Sequence, residues 1–137
     1  YRNLERGSET VSFDTPWGRF GMLLCFDVMW PTTWGELESE HACDFLVVQS
    51  YWEHVPYTGQ MAMNSLSNLS GLPVLWSNQR RLGLGGGAAV VRPWETDTSI
   101  GIWGPTGVVV ANLPLPERLR DHPIDPADFE PRMIAVR

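Results

Sequence analysis

The sequence predicts an α/β domain, because strand-like apolar runs alternate with helical segments along most of the chain. Residues 19–25, "RFGMLLC", form an apolar run of strand length, and residues 44–50, "DFLVVQS", form a second. Between them, Pro31 and two threonines can start a helix that continues through "WGELESEHA". Strand, helix and strand in this order are typical of a βαβ unit with buried parallel strands.

The flanking segments extend the same pattern. "TVSF" at residues 10–13 alternates like a half-buried strand, and Pro and Gly in the following "TPWG" predict a hairpin turn. A second crossover helix is predicted before the strand "PVLWSN" by the helical spacing of Met61, Leu66, Leu69 and Leu72. Residues 81–93 and 98–113 are glycine-punctuated β segments, with "GPTG" as a turn in the second.

Proline content divides the chain into two parts. Residues 1–113 are predicted to form one domain, which suits a chain of 137 residues that is 43% hydrophobic. Residues 114–137 are predicted to be a proline-rich tail or linker, because five prolines between residues 114 and 131 exclude a long helix or a central strand there.

Charge and composition exclude several kinds of partner. The net charge of −6 and the lack of a basic run argue against nucleic-acid binding, and no apolar stretch is long enough to span a membrane. We predict no cofactor, because "GLGGGA" lacks the Lys and Ser/Thr of a phosphate loop. We predict no metal site either, since the spacing of His41, Cys43, Asp44 and His54 lacks paired ligand motifs.

Cys25 is the main candidate for chemistry. It stands at the carboxyl end of a predicted buried strand, where open α/β sheets place reactive groups. A following helix would direct backbone N–H groups towards the sulfur, which favours the thiolate and provides donors for an oxyanion. The alternative is a buried, inert thiol, which is the usual state of free cysteine and our prediction for Cys43.

Trp52 and Glu53 are predicted to line a substrate pocket. They lie in the aromatic loop "YWEHVPY", directly after the strand that should neighbour the one ending at Cys25. Asp27 lies two residues from Cys25, and we interpret it as a structural hydrogen-bonding group rather than a catalytic base.

Three stretches, "VSFDTPWGRFGMLLCFDVMWP", "DFLVVQSYW" and "GLPVLWSN", resemble the carbon–nitrogen hydrolase (nitrilase) superfamily, and most closely its biotinidase and pantetheinase (vanin) branch. The resemblance implies an α-β-β-α sandwich of which this chain is the C-terminal half. It implies that Cys25 attacks a linear, non-peptide amide to form a thioester, with the backbone N–H of Phe26 as an oxyanion donor. It also implies a small-molecule amide substrate, homo-oligomers of the family's sandwich and, for this branch, an extracellular location.

The sequence departs from the family at two catalytic positions. The family's general base is a Glu in the first half of the domain, and its Lys precedes an "N-L" pair that "YRNL" matches with Tyr1 in the Lys position. All ten basic residues of the chain are Arg, and the chain does not begin with Met. Two interpretations remain: a hydrolase that is active as part of a longer protein, or a non-catalytic, nitrilase-like module used for packing or interaction.

Overall fold

The computed structural model of the chain describes residues 7–52, 56–81, 84–85, 87–94, 99–100, 112–113, 116–120, 125–130 and 133–136. The strands in these ranges are β1 Thr10–Thr15, β2 Gly18–Leu24, β3 Phe45–Ser50, β4 Val74–Asn78, β5 Arg80–Arg81, β6 Leu84–Gly85, β7 Ala88–Val91, β8 Ser99–Ile100 and β9 Met133–Val136. The helices are a 3₁₀ helix at Cys25–Met29, α1 Pro31–Ser39, α2 Pro56–Ser70 and α3 Glu117–Arg120.

A mixed sheet organises the molecule, with the strand order β8-β7-β4-β3-β2-β1-β9. Its centre is parallel: β2 pairs with β3, and β3 with β4, while the outer pairs are antiparallel. α1 connects β2 to β3, and α2 connects β3 to β4. The predicted α/β class is therefore confirmed, and its parallel centre follows from the two βαβ units.

Both crossover helices pack on one face of the sheet. The core under them contains fully buried Leu23, Leu46, Val48 and Val74, whose strands alternate inward and outward. α1 comes especially close at Gly21, where an added Cβ would lie 2.8 Å from a methyl carbon of Leu37. Burial of this apolar face is the main stabilising contribution of the fold.

The helix α2 is where it was predicted, but it buries a different face. Of the four residues that suggested the helix, Met61 and Leu69 are 68% and 71% exposed, whereas Leu66 is buried. The buried face instead combines small residues with Met63 and Leu66 at helical spacing, and the ring of Trp76 lies against Gly59. Its buried members are Gly59, Met63, Leu66, Ser67 and Ser70.

The opposite face of the sheet carries a row of aromatic rings. Phe13, Phe20 and Phe45 occupy paired positions on β1, β2 and β3, and their rings stack with centroids 5.0 and 5.8 Å apart. All three are half-buried, in contrast to the core under α1 and α2. The described part of the molecule thus has one covered face and one partly exposed apolar face.

The C-terminal segment returns to the sheet. β9 pairs antiparallel with β1, and Arg118 of α3 forms a salt bridge with Asp44, whose carboxylate also accepts the backbone N–H of Arg19. The short α3 agrees with the expectation that prolines exclude a long helix here. The division at residue 113 stays a prediction, and the predicted "GPTG" turn lies outside the described residues.

No helix among the described residues has the length and apolar character that crossing a bilayer requires.

Candidate active site

Cys25 lies where the chain leaves the sheet. It directly follows β2 and is the first residue of the 3₁₀ helix, and its thiol is partly accessible. Its φ of 51° is in the left-handed region, which is uncommon for a residue other than Gly. Such conformations cost roughly 1–3 kcal/mol and concentrate at functional sites. The sharp turn places the thiol at the carboxyl edge of the parallel strands.

Asp27 stabilises this turn. One carboxylate oxygen, Oδ2, accepts the backbone N–H of Leu24 at 2.9 Å, so the side chain closes the turn around Cys25. The carbonyl of Asp27 accepts the N–H of Trp30 at 3.1 Å, where α1 begins. These contacts support the structural interpretation of Asp27.

The sequence predicts that the helix after Cys25 directs its backbone N–H groups and the positive end of its dipole towards the sulfur. In the structure, however, α1 begins at Pro31, six positions after Cys25, and the segment that directly follows the thiol is the five-residue 3₁₀ helix. Pro31 explains the delay, because proline favours the first turn of an α-helix and disfavours a helical conformation in the residue before it.

Trp52 contacts the thiol directly. Its indole Nε1–H donates to Sγ of Cys25 at 3.1 Å. The predicted proximity of the loop after β3 to Cys25 follows from the parallel pairing of β2 and β3, which brings their carboxyl ends to one edge. Contact of Trp52 with a substrate stays a prediction.

A buried polar network holds the backbone of Trp52. Oδ1 of Asn78 accepts the N–H of Trp52 at 2.8 Å, and Nδ2 of Asn78 donates to the carbonyl of Trp52 at 3.1 Å. Ser50 donates to the same Oδ1 at 2.9 Å, and its hydroxyl accepts the indole N–H of Trp76 at 2.8 Å. The backbone donor and acceptor of Trp52 are therefore both satisfied by one side chain.

Packing also restricts the indole of Trp52. The rings of Trp52 and Trp76 lie 6.1 Å apart at an angle of 40°. Gly59 of α2 faces both rings, and a Cβ there would lie 2.7 Å from Trp76 and 3.3 Å from Trp52. A side chain held by hydrogen bonds at its backbone and by close packing at its ring has little freedom to move.

Cys43 has the character of a structural thiol. It is buried, and burial raises its pKa to about 12, while the nearby Arg19 guanidinium has a smaller opposing effect. A thiol with this pKa is protonated at neutral pH and is a poor nucleophile. The prediction of a packed, unreactive Cys43 agrees with this environment.

Of the other predicted site residues, Phe26 lies within the described ranges and Glu53 does not. Phe26 follows Cys25 in the 3₁₀ helix, with its side chain 69% exposed. Its backbone N–H belongs to the first turn, whose donors have no partner within a helix. Glu53 lies outside the described residues, as does His54 of the cluster considered for a metal. Across the described ranges, no three His, Cys, Asp or Glu side chains come together as a metal site would require.

Sequence reasoning missed Ser50 and Asn78. Both are polar residues at the ends of apolar runs, in "DFLVVQS" and "PVLWSN", and they are paired in register across β3 and β4. Polar residues that end two neighbouring buried strands were the available signal.

Comparisons with known proteins identify the fold. No protein-family model matches the chain, and no curated protein sequence matches it. Among solved structures, it is similar to the glutamine-dependent NAD+ synthetase from Acinetobacter baumannii, with 20% identity, a TM-score of 0.56, and coverage of 85% of this chain and 26% of that one. It is also similar to the NitN amidase from Nesterenkonia sp. AN1, with 19% identity, a TM-score of 0.53, and coverage of 70% and 39%.

The chain shares its fold with these two enzymes. A crystal structure of an amidase from Nesterenkonia sp. agrees, with 18% identity, a TM-score of 0.50, and coverage of 66% of this chain and 35% of that one. The chain therefore spans well under half the length of these structures. The likeness is one of fold, and the biotinidase and pantetheinase branch rests on the sequence phrases alone.

Proposed function

We propose that the protein containing this chain hydrolyses the carbon–nitrogen bond of a linear, non-peptide amide through a thioester on Cys25. The observation that supports this most is the position of the thiol: it occupies a left-handed turn at the carboxyl edge of parallel strands and accepts an indole N–H. The same edge is where α/β folds build their active sites.

The chemistry follows from a positioned thiolate. Sγ attacks the amide carbon, and the carbonyl π electrons move to oxygen to form a tetrahedral oxyanion. As the oxyanion collapses, the C–N bond breaks, the general base passes the proton that it took from the thiol to the departing amine, and a thioester remains. Water then attacks the thioester, releasing the acid and restoring the thiol. The backbone N–H of Phe26 is proposed as a donor to the oxyanion in both steps.

A base and a cation complete the proposal. The family resemblance assigns them to a Glu in the first half of the domain and to a Lys directly before the "N-L" pair, the position that Tyr1 occupies in this chain. The 137 residues contain no Lys, so the chain by itself does not provide the cation in its family form. We therefore propose that activity belongs to the longer protein.

The phrase "FDTPWGRFGMLLCFDV" supports a substrate of the biotinidase or pantetheinase kind, that is, a vitamin-like or pantetheine-like amide conjugate. Trp52 and Glu53 are proposed as part of the wall that binds it. The same branch implies an extracellular location, and the superfamily implies pairing of subunits.

Replacing the thiol tests this function. In the full-length protein, Cys25→Ala should abolish release of amine from a panel of such amides without changing the circular dichroism spectrum. Cys43→Ala is the matched control, because it removes the other thiol and should retain turnover. Amide turnover that survives in Cys25→Ala would contradict the proposal.

The lack of Lys also favours a second candidate, a nitrilase-like module without catalysis that acts in packing or interaction. It predicts that the full-length protein releases no amine from any amide of the panel and that its upstream sequence lacks a suitable Glu and Lys. The first candidate predicts both residues and measurable turnover.

A further inference from the structure

The hydrogen bond from Trp52 to Cys25 indicates how the thiol is activated. An indole N–H can only donate, so the sulfur must be the acceptor, and at 3.1 Å the two atoms are in direct contact. A donor stabilises an anionic acceptor more than a neutral one. We propose that Trp52 is a catalytic residue that stabilises the Cys25 thiolate and that Asn78 is the positioning residue that holds Trp52 for this role. The inference rests on the proposed function, which makes this thiolate the nucleophile.

Asn78 is suited to this role by its two contacts. It binds both the N–H and the carbonyl of Trp52, at 2.8 and 3.1 Å, much as a neighbouring strand would. Asn78 is itself buried at the end of β4, and its backbone N–H donates to the carbonyl of Gly87. The two hydrogen bonds from Asn78 fix the position and the direction of the Trp52 backbone, so that the indole extends from the edge of the sheet towards Sγ of Cys25.

In the elements that pack against the 3₁₀ helix, the described charged groups are paired elsewhere or exposed. The indole of Trp52 is therefore the donor that stabilises the thiolate. The elements packed against the 3₁₀ helix are β2, β3 and α1, and β3 contains no ionisable residue. On β2, Arg19 is paired with Asp14. On α1, Glu36 accepts the hydroxyl of Thr10, while Glu38 is exposed. Asp27, on the 3₁₀ helix itself, accepts the N–H of Leu24. Among the described residues, none of these contacts involves a cation donating to Sγ.

The pH dependence of alkylation tests the role of Trp52. Iodoacetamide reacts with the thiolate, so peptide mapping of Cys25 modification against pH in the full-length protein reports how readily the thiolate forms. In Trp52→Phe, the rate at neutral pH should fall about tenfold while the plateau at high pH is retained, since one hydrogen bond to a charged group is lost. The midpoint of the profile should then move up by about one pH unit. Trp94→Phe, which alters an exposed tryptophan, should leave the profile unchanged.

A merely structural role gives a different result. If Trp52 only fills space, Trp52→Phe will leave the midpoint unchanged, whatever it does to the overall rate, and the inference is then wrong. Asn78→Ala tests the positioning role: it should move the midpoint in the wild-type background and have no further effect when combined with Trp52→Phe. Additive shifts would show that Asn78 does not act through Trp52.

If the Trp52 variant does not fold, an NMR measurement on the unsubstituted side chain of Trp52 tests the same inference. The indole ¹H–¹⁵N resonance of Trp52 should shift with pH as Cys25 ionises, and this shift should disappear in Cys25→Ala and persist in Cys43→Ala. A resonance that is insensitive to pH overturns the inference.

No amide is used in these experiments, so they test the role of Trp52 separately from the proposed function. Retained turnover in Cys25→Ala refutes the proposed function, whereas an unchanged profile in Trp52→Phe refutes only the present inference.

Discussion

At the scale of single residues, the two cysteines occupy contrasting environments. Cys25 is partly accessible, lies in a left-handed turn and accepts an indole N–H. Cys43 is buried two residues before β3, close to Ser12 and Arg19. The residue type is the same, so the difference comes from backbone conformation, burial and hydrogen bonding.

Cys43 should make stability depend on alkaline pH. Burial holds its pKa at about 12 in the folded state, above the ordinary value of 9.0, so folding favours the protonated thiol. Its stabilising contribution is complete below pH 9 and is lost as the pH rises towards 12, because the unfolded thiol ionises first. The free energy of unfolding should therefore fall by up to about 1.4 kcal/mol per pH unit in this window. Urea denaturation between pH 8 and 10.5 measures it.

Cys43→Ala is the reference for this measurement. The variant keeps the other groups that titrate at alkaline pH, so its free energy of unfolding should decline less steeply than that of the wild type. Parallel declines in the two proteins would show that Cys43 is not the source of the pH dependence.

At the scale of elements, the approach of α1 to β2 depends on Gly21. A methyl group there would lie 2.8 Å from Cδ1 and 3.1 Å from Cβ of Leu37, whose side chain is fully buried. Gly21→Ala should therefore lower the free energy of unfolding by about 1–3 kcal/mol, the usual cost of overpacking a core. Thermal or urea denaturation provides the measurement.

Gly35 of α1 is the matched control for Gly21. Nothing lies within 4 Å of a Cβ built at Gly35, so Gly35→Ala should raise the free energy of unfolding by about 0.5–1 kcal/mol through helix propensity. If Gly21→Ala is tolerated as well as Gly35→Ala, the close contact between α1 and β2 does not contribute to stability.

The order of the central elements was predictable because each leaves a local signal. The runs that form β2, β3 and β4 are apolar and of strand length, and Pro31 begins α1 as expected. The buried face of α2 was not predictable, because it depends on the position of Trp76. Small residues such as Gly59 carry no hydrophobic signal.

The candidate site was predictable only in part. The sequence predicts that Cys25 and Trp52 lie at the same edge of the sheet, because they follow two strands that pair in parallel. Cys25 adopts a left-handed conformation without being a glycine, so the sequence contains no signal for this conformation. The contact of Trp52 with Cys25 depends on Asn78, which lies 26 residues after Trp52 in the chain. Such features arise from tertiary packing rather than from local sequence.

At the scale of the whole molecule, the sheet has two unlike faces. α1 and α2 cover one, and the stacked Phe13, Phe20 and Phe45 lie on the other, which is only half-buried. In the α-β-β-α sandwich that the sequence resemblance implies, such a face packs against a second sheet, which the proposed first half of the domain would supply.

Trapping the covalent intermediate of the proposed reaction tests whether Cys25 is the nucleophile. The full-length protein is mixed with an amide that it cleaves, quenched in acid within the first turnover, and analysed by peptide mass spectrometry. An acyl group in thioester linkage should be found on the peptide that contains Cys25, in the wild type and in Cys43→Ala but not in Cys25→Ala. An acyl group on another residue, or turnover with no covalent adduct in a single-turnover experiment, would contradict this role of Cys25.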